Sequence, residues 1–170
     1  MEKRIIYADN AATTKLSGTA LEAMMPYLKE EYGNPSSLYA FGQKAKEGLE
    51  SARLEVAKAI GCEPREIYFT SGGTEADNWA LRGAAYSLVN RGRHLIVSAV
   101  EHPAMIATAK ELAKKGFEVT FAEVDEYGAV DLEKLEKAIR SDTVFVGAMT
   151  ANNEVGTIQP VKEIAALCKA

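Results

Sequence analysis

Cysteine is scarce in this chain: Cys62 and Cys168 are the only two in 170 residues. Two thiols cannot build a disulfide framework, so the fold must rest on a hydrophobic core, and a reducing cytoplasm is the expected setting. Histidine is as rare, with His94 and His102 alone and no metal-ligand spacing around either. A zinc site is therefore not expected. Long apolar runs are missing too, since stretches such as Leu95-Ile96-Val97 are far too short to span a bilayer. Nor does one charge dominate: Lys+Arg 20 against Asp+Glu 24 leaves a net charge of −4. That balance argues against generic binding to nucleic acid or to anionic membranes. Met1-Glu2-Lys3-Arg4 leads into Ile5-Ile6-Tyr7 and not into a long apolar segment, so no signal peptide is expected. There is no internal repeat, low-complexity tract or linker. What remains is an ordinary globular composition, 47% hydrophobic and 26% charged. The length suits one domain with a real core.

Read in order, Ile5-Ile6-Tyr7 is strand-like, and Asp9 to Thr14 form a small polar loop. Leu21, Met24, Met25 and Leu28 recur at helical spacing, with Ser17 as cap and Pro26 as a kink. Gly33-Asn34-Pro35-Ser36-Ser37 breaks that helix. A second carries Ala45, Leu49, Ala52, Val56 and Ile60 on one face and stops at Gly61. From residue 67 strands and helices alternate. Strands are expected at Ile67–Phe69, Leu95–Ser98, Phe117–Ala122 and Thr143–Met149. Helices are expected through Trp79 to Leu88, from Pro103 to Lys115, from Asp131 past Ile139, and from Pro160. This alternation predicts an α/β architecture with a parallel sheet, right-handed crossovers and helices on both faces. Another strand would follow next, so the chain reads as the front part of something longer.

In open α/β sheets ligands bind beyond the carboxyl ends of the strands. The segments following the four expected strands are Thr70-Ser71-Gly72-Gly73-Thr74-Glu75, Glu101-His102-Pro103, Asp125-Glu126 and Ala151-Asn152-Asn153-Glu154. The first is a Gly-rich turn opening a helix, where backbone N–H groups and a partial positive charge suit a phosphate. It carries neither the Walker ending nor the dinucleotide fingerprint. By itself it serves equally as a phosphate cradle or as a tight turn with a Thr cap. A lone histidine is more often a surface or packing residue, and His94 is read so. His102, at a strand end, can stack on a flat ring and move protons near neutral pH. The Asn152-Asn153 pair offers uncharged amides, though adjacent asparagines are also ordinary turn formers. A phosphorylated planar ring would use all three loops.

Several segments then look familiar together: Tyr7-Ala8-Asp9-Asn10-Ala11-Ala12-Thr13-Thr14, Gly33 to Ser37, Phe69 to Asn78, Glu101-His102, and Ala151 through Pro160. In order and spacing they resemble a cysteine desulfurase of the NifS/IscS type, a class V aminotransferase-fold enzyme using pyridoxal 5′-phosphate (PLP). The resemblance implies a three-layer PLP-dependent transferase fold (fold type I), with residues 1–66 a helical N-terminal segment and 67–170 the first part of the large cofactor-binding domain. It implies that Gly73 and Thr74 hold the PLP phosphate. His102 would stack on the ring as acid/base group, and Asn153 would bond the ring's phenolic oxygen. The implied reaction removes sulfur from L-cysteine, giving L-alanine and an enzyme persulfide that feeds iron–sulfur cluster assembly or thiolation. A homodimer and a sulfur-acceptor or scaffold partner go with it. Tyr39 stands where many members have histidine, an expected tolerated change at the site's edge. The family's Schiff-base lysine, its aspartate at the pyridine nitrogen, its persulfide cysteine and its small domain would lie beyond residue 170. Cys62 and Cys168 match none of these and read as structural thiols. Residues 1–170 by themselves are therefore expected to be inactive. Two rival readings are a selenocysteine lyase or other class V member, and a phosphate- or nucleotide-binding α/β domain.

Overall fold

The computed structural model describes residues 5–169, so the Met1–Arg4 start on which the leader expectation rests lies outside the described residues. The chain divides into two compact units between Phe69 and Thr70.

The first unit is helical. Helix α1 spans Gly18–Lys29 and is capped by Ser17, whose Oγ accepts from the Ala20 amide at 3.1 Å. Pro26 lies inside it. Helix α2, Ala40–Ile60, ends at Gly61, whose φ of 74° is the left-handed geometry that favours glycine. In the intervening Asn34-Pro35-Ser36-Ser37 turn, Asn34 Oδ1 accepts from the Ser36 amide at 2.9 Å. A Cβ on Gly42 would lie 2.5 Å from the Asn34 carbonyl oxygen, so the turn seats directly on α2. The α2 stripe of Leu49, Val56 and Ile60 remains exposed.

Two expected strands are not strands. Ile5–Tyr7 is extended without a ladder and exposed. Ile67–Phe69 follows a 3-10 turn at Pro64–Glu66 and joins no sheet. The Ile67 carbonyl, which a ladder would use, accepts instead from the Arg53 guanidinium, which also lies 5.2 Å from the Phe69 ring centre. β-branched and aromatic residues make a strand only where a neighbour supplies pairing.

The second unit is a three-layer α/β/α structure. After α3 (Gly73–Ser87) come β1 (His94–Ser98), α4 (Pro103–Lys114), β2 (Glu118–Ala122), α5 (Leu132–Ala138), β3 (Thr143–Gly147) and α6 (Val161–Leu167). Among the described residues the sheet has three strands in the order β2-β1-β3, all parallel. The central strand is buried along its whole length. Its side chains alternate: Leu95 and Val97 join Leu81, Ala85, Met105, Ala109, Leu112 and Phe117 on one face, while Ile96 joins Ala122, Val130, Leu135 and Ile164 on the other. Parallel strands covered on both faces need this continuous apolar run.

His94 is the packing residue expected. It is buried at the start of β1, with Nδ1 2.7 Å from the Thr143 hydroxyl and Nε2 2.9 Å from that of Thr120, so one ring bridges all three strands. Burial, then the Arg140 charge, pushes its pKa below the ordinary 6.5. The unfolded chain therefore takes up this proton first. Its contribution to stability is complete above about pH 6.5 and is lost as pH falls from there through the lower folded-state value. Urea midpoints measured between pH 8 and 5 should decline on the acid side. The decline should be shallower in His94→Gln; an unchanged slope would mean that this ring does not titrate with unfolding.

Candidate functional site

The Ser71-Gly72-Gly73-Thr74 turn does not follow a strand, yet it opens α3 as expected. No side chain caps that helix. A Cβ on Gly72 or on Gly73 would meet nothing within 4 Å, so the space before the first turn is open. The first-turn N–H groups have no intrahelical acceptor, and they stand at the positive pole of a 15-residue helix. The first-turn carboxylate is engaged just before the cap: Glu75 accepts from the Ser71 amide at 2.6 Å and its hydroxyl at 2.7 Å. Those two bonds hold its carboxyl below the usual range. An uncapped helix start with open space beside its two glycines, its one first-turn acid already bonded to Ser71, suits a phosphate dianion.

His102 caps α4. Its Nδ1 accepts from the Ala104 amide at 3.1 Å, so in the neutral ring the proton sits on Nε2. Pro103 at the first helical position fixes the backbone where the ring leaves the strand end. The ring is exposed and lines a cleft of about 710 Å³ beyond the carboxyl ends of the strands. Asn153 lines the same cleft. A smaller hollow of about 340 Å³ runs from Asp77 of α3 past Glu101 and His102 to Met149. The structure thus brings His102 and Asn153 into one cleft, while Gly73 and Thr74 lie outside its lining.

The two asparagines separate sharply. Asn152 spends its side chain on the protein: Nδ2 donates to the Val100 carbonyl at 3.0 Å, and Oδ1 accepts from the Glu154 and Val155 amides at 2.8 and 3.0 Å. Asn153 is exposed and its amide has no hydrogen-bond partner among the described residues. The first pins the loop; the second leaves its amide open at the cleft.

Sequence reasoning assigned nothing to the residues that hold this loop. Buried Gln159 accepts from the Val130 amide at 2.9 Å and donates to the Gly128 carbonyl at 2.6 Å, while the Thr157 hydroxyl donates to the Tyr127 carbonyl. Together they staple the excursion after β3 to the 124–130 hairpin. Gly156, at φ 79°, makes its turn. Glu101 plays a similar part on the facing loop. It is half-buried, accepts from the Met149 amide, and so ties the end of β3 to the His102 loop. Burial, the largest influence, pushes its carboxyl above the usual range. The only hint in the sequence was that Glu101 adjoins His102 and that Thr157 and Gln159 end the long Ala151–Pro160 motif.

Cys168 ends α6 and lines a hollow beside β3, outside the lining of the cleft, and burial pushes its thiol upward, the opposite of an activated nucleophile. Among the described residues, no group of three or more His, Cys, Asp or Glu side chains is placed to hold a metal, and no helix is long and apolar enough to cross a membrane.

A family model described as "Aminotransferase class-V" matches residues 6–170. The cysteine desulfurase IscS of Methanosarcina thermophila is 49% identical over 168 residues, 99% of this chain and 42% of the relative. That of Clostridium botulinum (strain Kyoto / Type A2) is 50% identical over 164 residues, 96% of this chain and 41% of the relative. Among solved structures, a NifS-like protein matches with a TM-score of 0.91 at 45% identity, covering 95% of this chain and 44% of that one. A structure titled SspA in complex with cysteine matches at 0.91 and 34%, covering 96% and 47%. The chain therefore spans about 42% of the length of the first of these relatives.

Proposed function

The chain belongs to the class-V aminotransferase family, and on that premise we propose that it supplies the phosphate- and ring-binding half of a PLP-dependent cysteine desulfurase. One observation carries this reading beyond the family. The free amide of Asn153 and the ring of His102 line one cleft at the strand ends, in a unit that also holds an uncapped, open helix start at Gly73-Thr74. The relatives named above as cysteine desulfurases, and the neighbour whose title includes cysteine, point to L-cysteine as substrate.

When bound, PLP supplies the electron sink that makes bonds at the substrate's α and β carbons labile. The residues of this chain would do the rest of the holding. The Gly73 and Thr74 backbone amides and the Thr74 hydroxyl would bind the phosphate. His102 would lie against the ring plane, and its Nε2–H would face the cleft because Nδ1 is already bonded to Ala104. Proton transfer at Nε2 is thus the acid/base role open to it. Asn153 would donate to the phenolate oxygen of the ring. Glu101 and Asn152 would keep these two loops in place from behind. Residues 1–66 would form the helical N-terminal segment and 67–170 the first part of the cofactor domain. A homodimer, an acceptor protein for the sulfur and a cytoplasmic setting complete the proposal.

The full-length protein, purified and given PLP, should turn L-cysteine into equimolar L-alanine and protein-bound or released sulfur. Absence of alanine with cysteine but release from another amino acid would redirect the reading to another member of the family. Thr74→Ala and Asn153→Ala should each weaken PLP binding, since a hydrogen bond to a charged group is worth about 1.5–3 kcal/mol, or roughly 10- to 150-fold. Equilibrium dialysis of PLP checks this, and unchanged affinity in both would remove these loops from the cofactor.

A further inference from the structure

The turn that opens α3 has few anchors. The Thr70 hydroxyl donates to the Gly72 carbonyl, Ser71 and Glu75 bond one another, and the Ala76 amide donates to the Gly72 carbonyl. All of these are local. The Asn78 side chain links this turn to another element. Its Nδ2 donates to the Thr74 carbonyl at 2.9 Å. Its Oδ1 accepts from the Thr108 hydroxyl at 2.7 Å and from Arg82 Nε at 3.1 Å. Thr108 is buried on α4, one and a half turns into the helix that begins at His102. Arg82 continues the link to α4 through an ion pair with Glu111, which also meets Lys115 at 2.6 Å. Arg82 and then Lys115 draw the Glu111 carboxyl down to about 2, so this outer clamp stays charged across the physiological range.

The consequence is geometric. Residues 74, 78 and 82 are spaced four apart, so one face of α3 carries a ladder from the helix start to α4. An uncapped helix start frays unless something holds its first turn. Here the carbonyl of Thr74 is held from within the helix, and the holder is itself fixed to the helix that aims His102.

We infer that Asn78 is a positioning residue, whose amide fixes the first turn of α3 to α4 and so sets the phosphate-binding Thr74 at a constant distance from the ring-binding His102. This rests on the reading of that turn as the phosphate anchor. Asn78 touches neither cofactor nor substrate; it acts through Thr74.

The test uses the full-length protein, loaded with PLP after removal of the native cofactor. Asn78→Ala and Thr108→Val are compared with Thr108→Ser, which keeps the hydroxyl. Three quantities are read: the PLP dissociation constant, the phosphorus resonance of bound PLP, and the melting temperature of the cofactor-free form. Loss of one net hydrogen bond at the turn should raise the dissociation constant about tenfold in Asn78→Ala and in Thr108→Val. The phosphorus resonance should shift or broaden in both, and Thr108→Ser should restore both values. Asn78→Ala variants that melt lower but bind PLP with wild-type affinity and an unchanged phosphorus resonance would make Asn78 a structural residue only, and would overturn the inference while leaving the proposed function intact. A wild-type protein that binds no PLP would overturn both.

Discussion

Replacing His102 with alanine should lower turnover of L-cysteine by about 10²- to 10⁴-fold, the usual loss when a general acid–base group is removed, while PLP remains bound. Two separate things disappear in that variant. One is the ring, which lines the cleft and in its neutral form carries its proton on Nε2. The other is the cap: Nδ1 accepts the Ala104 amide at 3.1 Å, and an N-cap deletion costs about 0.5–2 kcal/mol. His102→Asn separates them, since asparagine is a good N-cap but carries no imidazole. If the ring does the chemistry, the asparagine variant should melt like the wild type and still be as slow as the alanine variant. Recovery of most of the turnover in His102→Asn would mean that His102 matters through helix α4 and not through proton transfer. The residues proposed to hold the phosphate and the ring oxygen lie on other loops, so PLP affinity should fall far less than the rate in either variant.

Most of the second unit was legible in the sequence because its elements announce themselves locally. Pro103 behind a polar cap and Asp131 before Leu132 are boundary signals that act within a few residues, as Gly61 after Ile60 is in the first unit, and each marks an observed helix end. The central strand is legible for a different reason: Leu95, Ile96 and Val97 are buried on both faces, so no polar alternation blurs them. Ile67–Phe69 misled because strand formation is decided by a partner, which composition does not reveal. Glu63-Pro64-Arg65-Glu66 could have warned of this, since its reciprocal side-chain caps and early proline build the 3-10 turn just upstream. At the site, residue chemistry does not rank positions within a loop; only the resemblance singles out Asn153. Asn152 and Asn153 are identical in chemistry. Only the turn through Gly156 decides which amide faces the backbone and which the cleft. The residues that hold the loops, Asn78, Glu101 and Gln159, act across 30, 48 and 29 positions respectively, through Thr108, Met149 and Val130. No local pattern encodes contacts of that range. The helical ladder of Thr74, Asn78 and Arg82 is the exception, being visible as a four-residue spacing once α3 is granted.

The largest expected loss of stability comes from a glycine at the far end of the sheet, and a glycine on α3 should respond with the opposite sign. Gly92 lies just before β1, and a Cβ there would sit 2.0 Å from the Asp142 carbonyl oxygen and 2.6 Å from its carbon. Both are backbone atoms, so no rotamer change relieves the clash. That same carbonyl accepts the His94 amide at 3.2 Å, and the β1–β3 register is irregular between His94 and Leu95. Gly92→Ala must therefore push the start of β3 away from β1. The cost should reach or exceed the upper end of the overpacking range, about 3 kcal/mol. The other end of β3 carries Met149, bonded to Glu101, and leads into the Asn153 loop, so PLP binding should weaken with it. Gly83 is the opposite case. It is exposed in the middle of α3, and its Cβ would meet nothing nearer than the Trp79 ring at 3.8 Å. Gly83→Ala removes backbone freedom from the unfolded chain at no steric cost and should stabilise by about 0.5–1 kcal/mol. Urea midpoints of the two variants in the full-length protein give both answers in one series. Gly92→Ala with a wild-type midpoint would show that β1 and β3 can part at their starts without penalty. Gly83→Ala with a lowered midpoint would show that the outer face of α3 is covered by something a methyl group displaces.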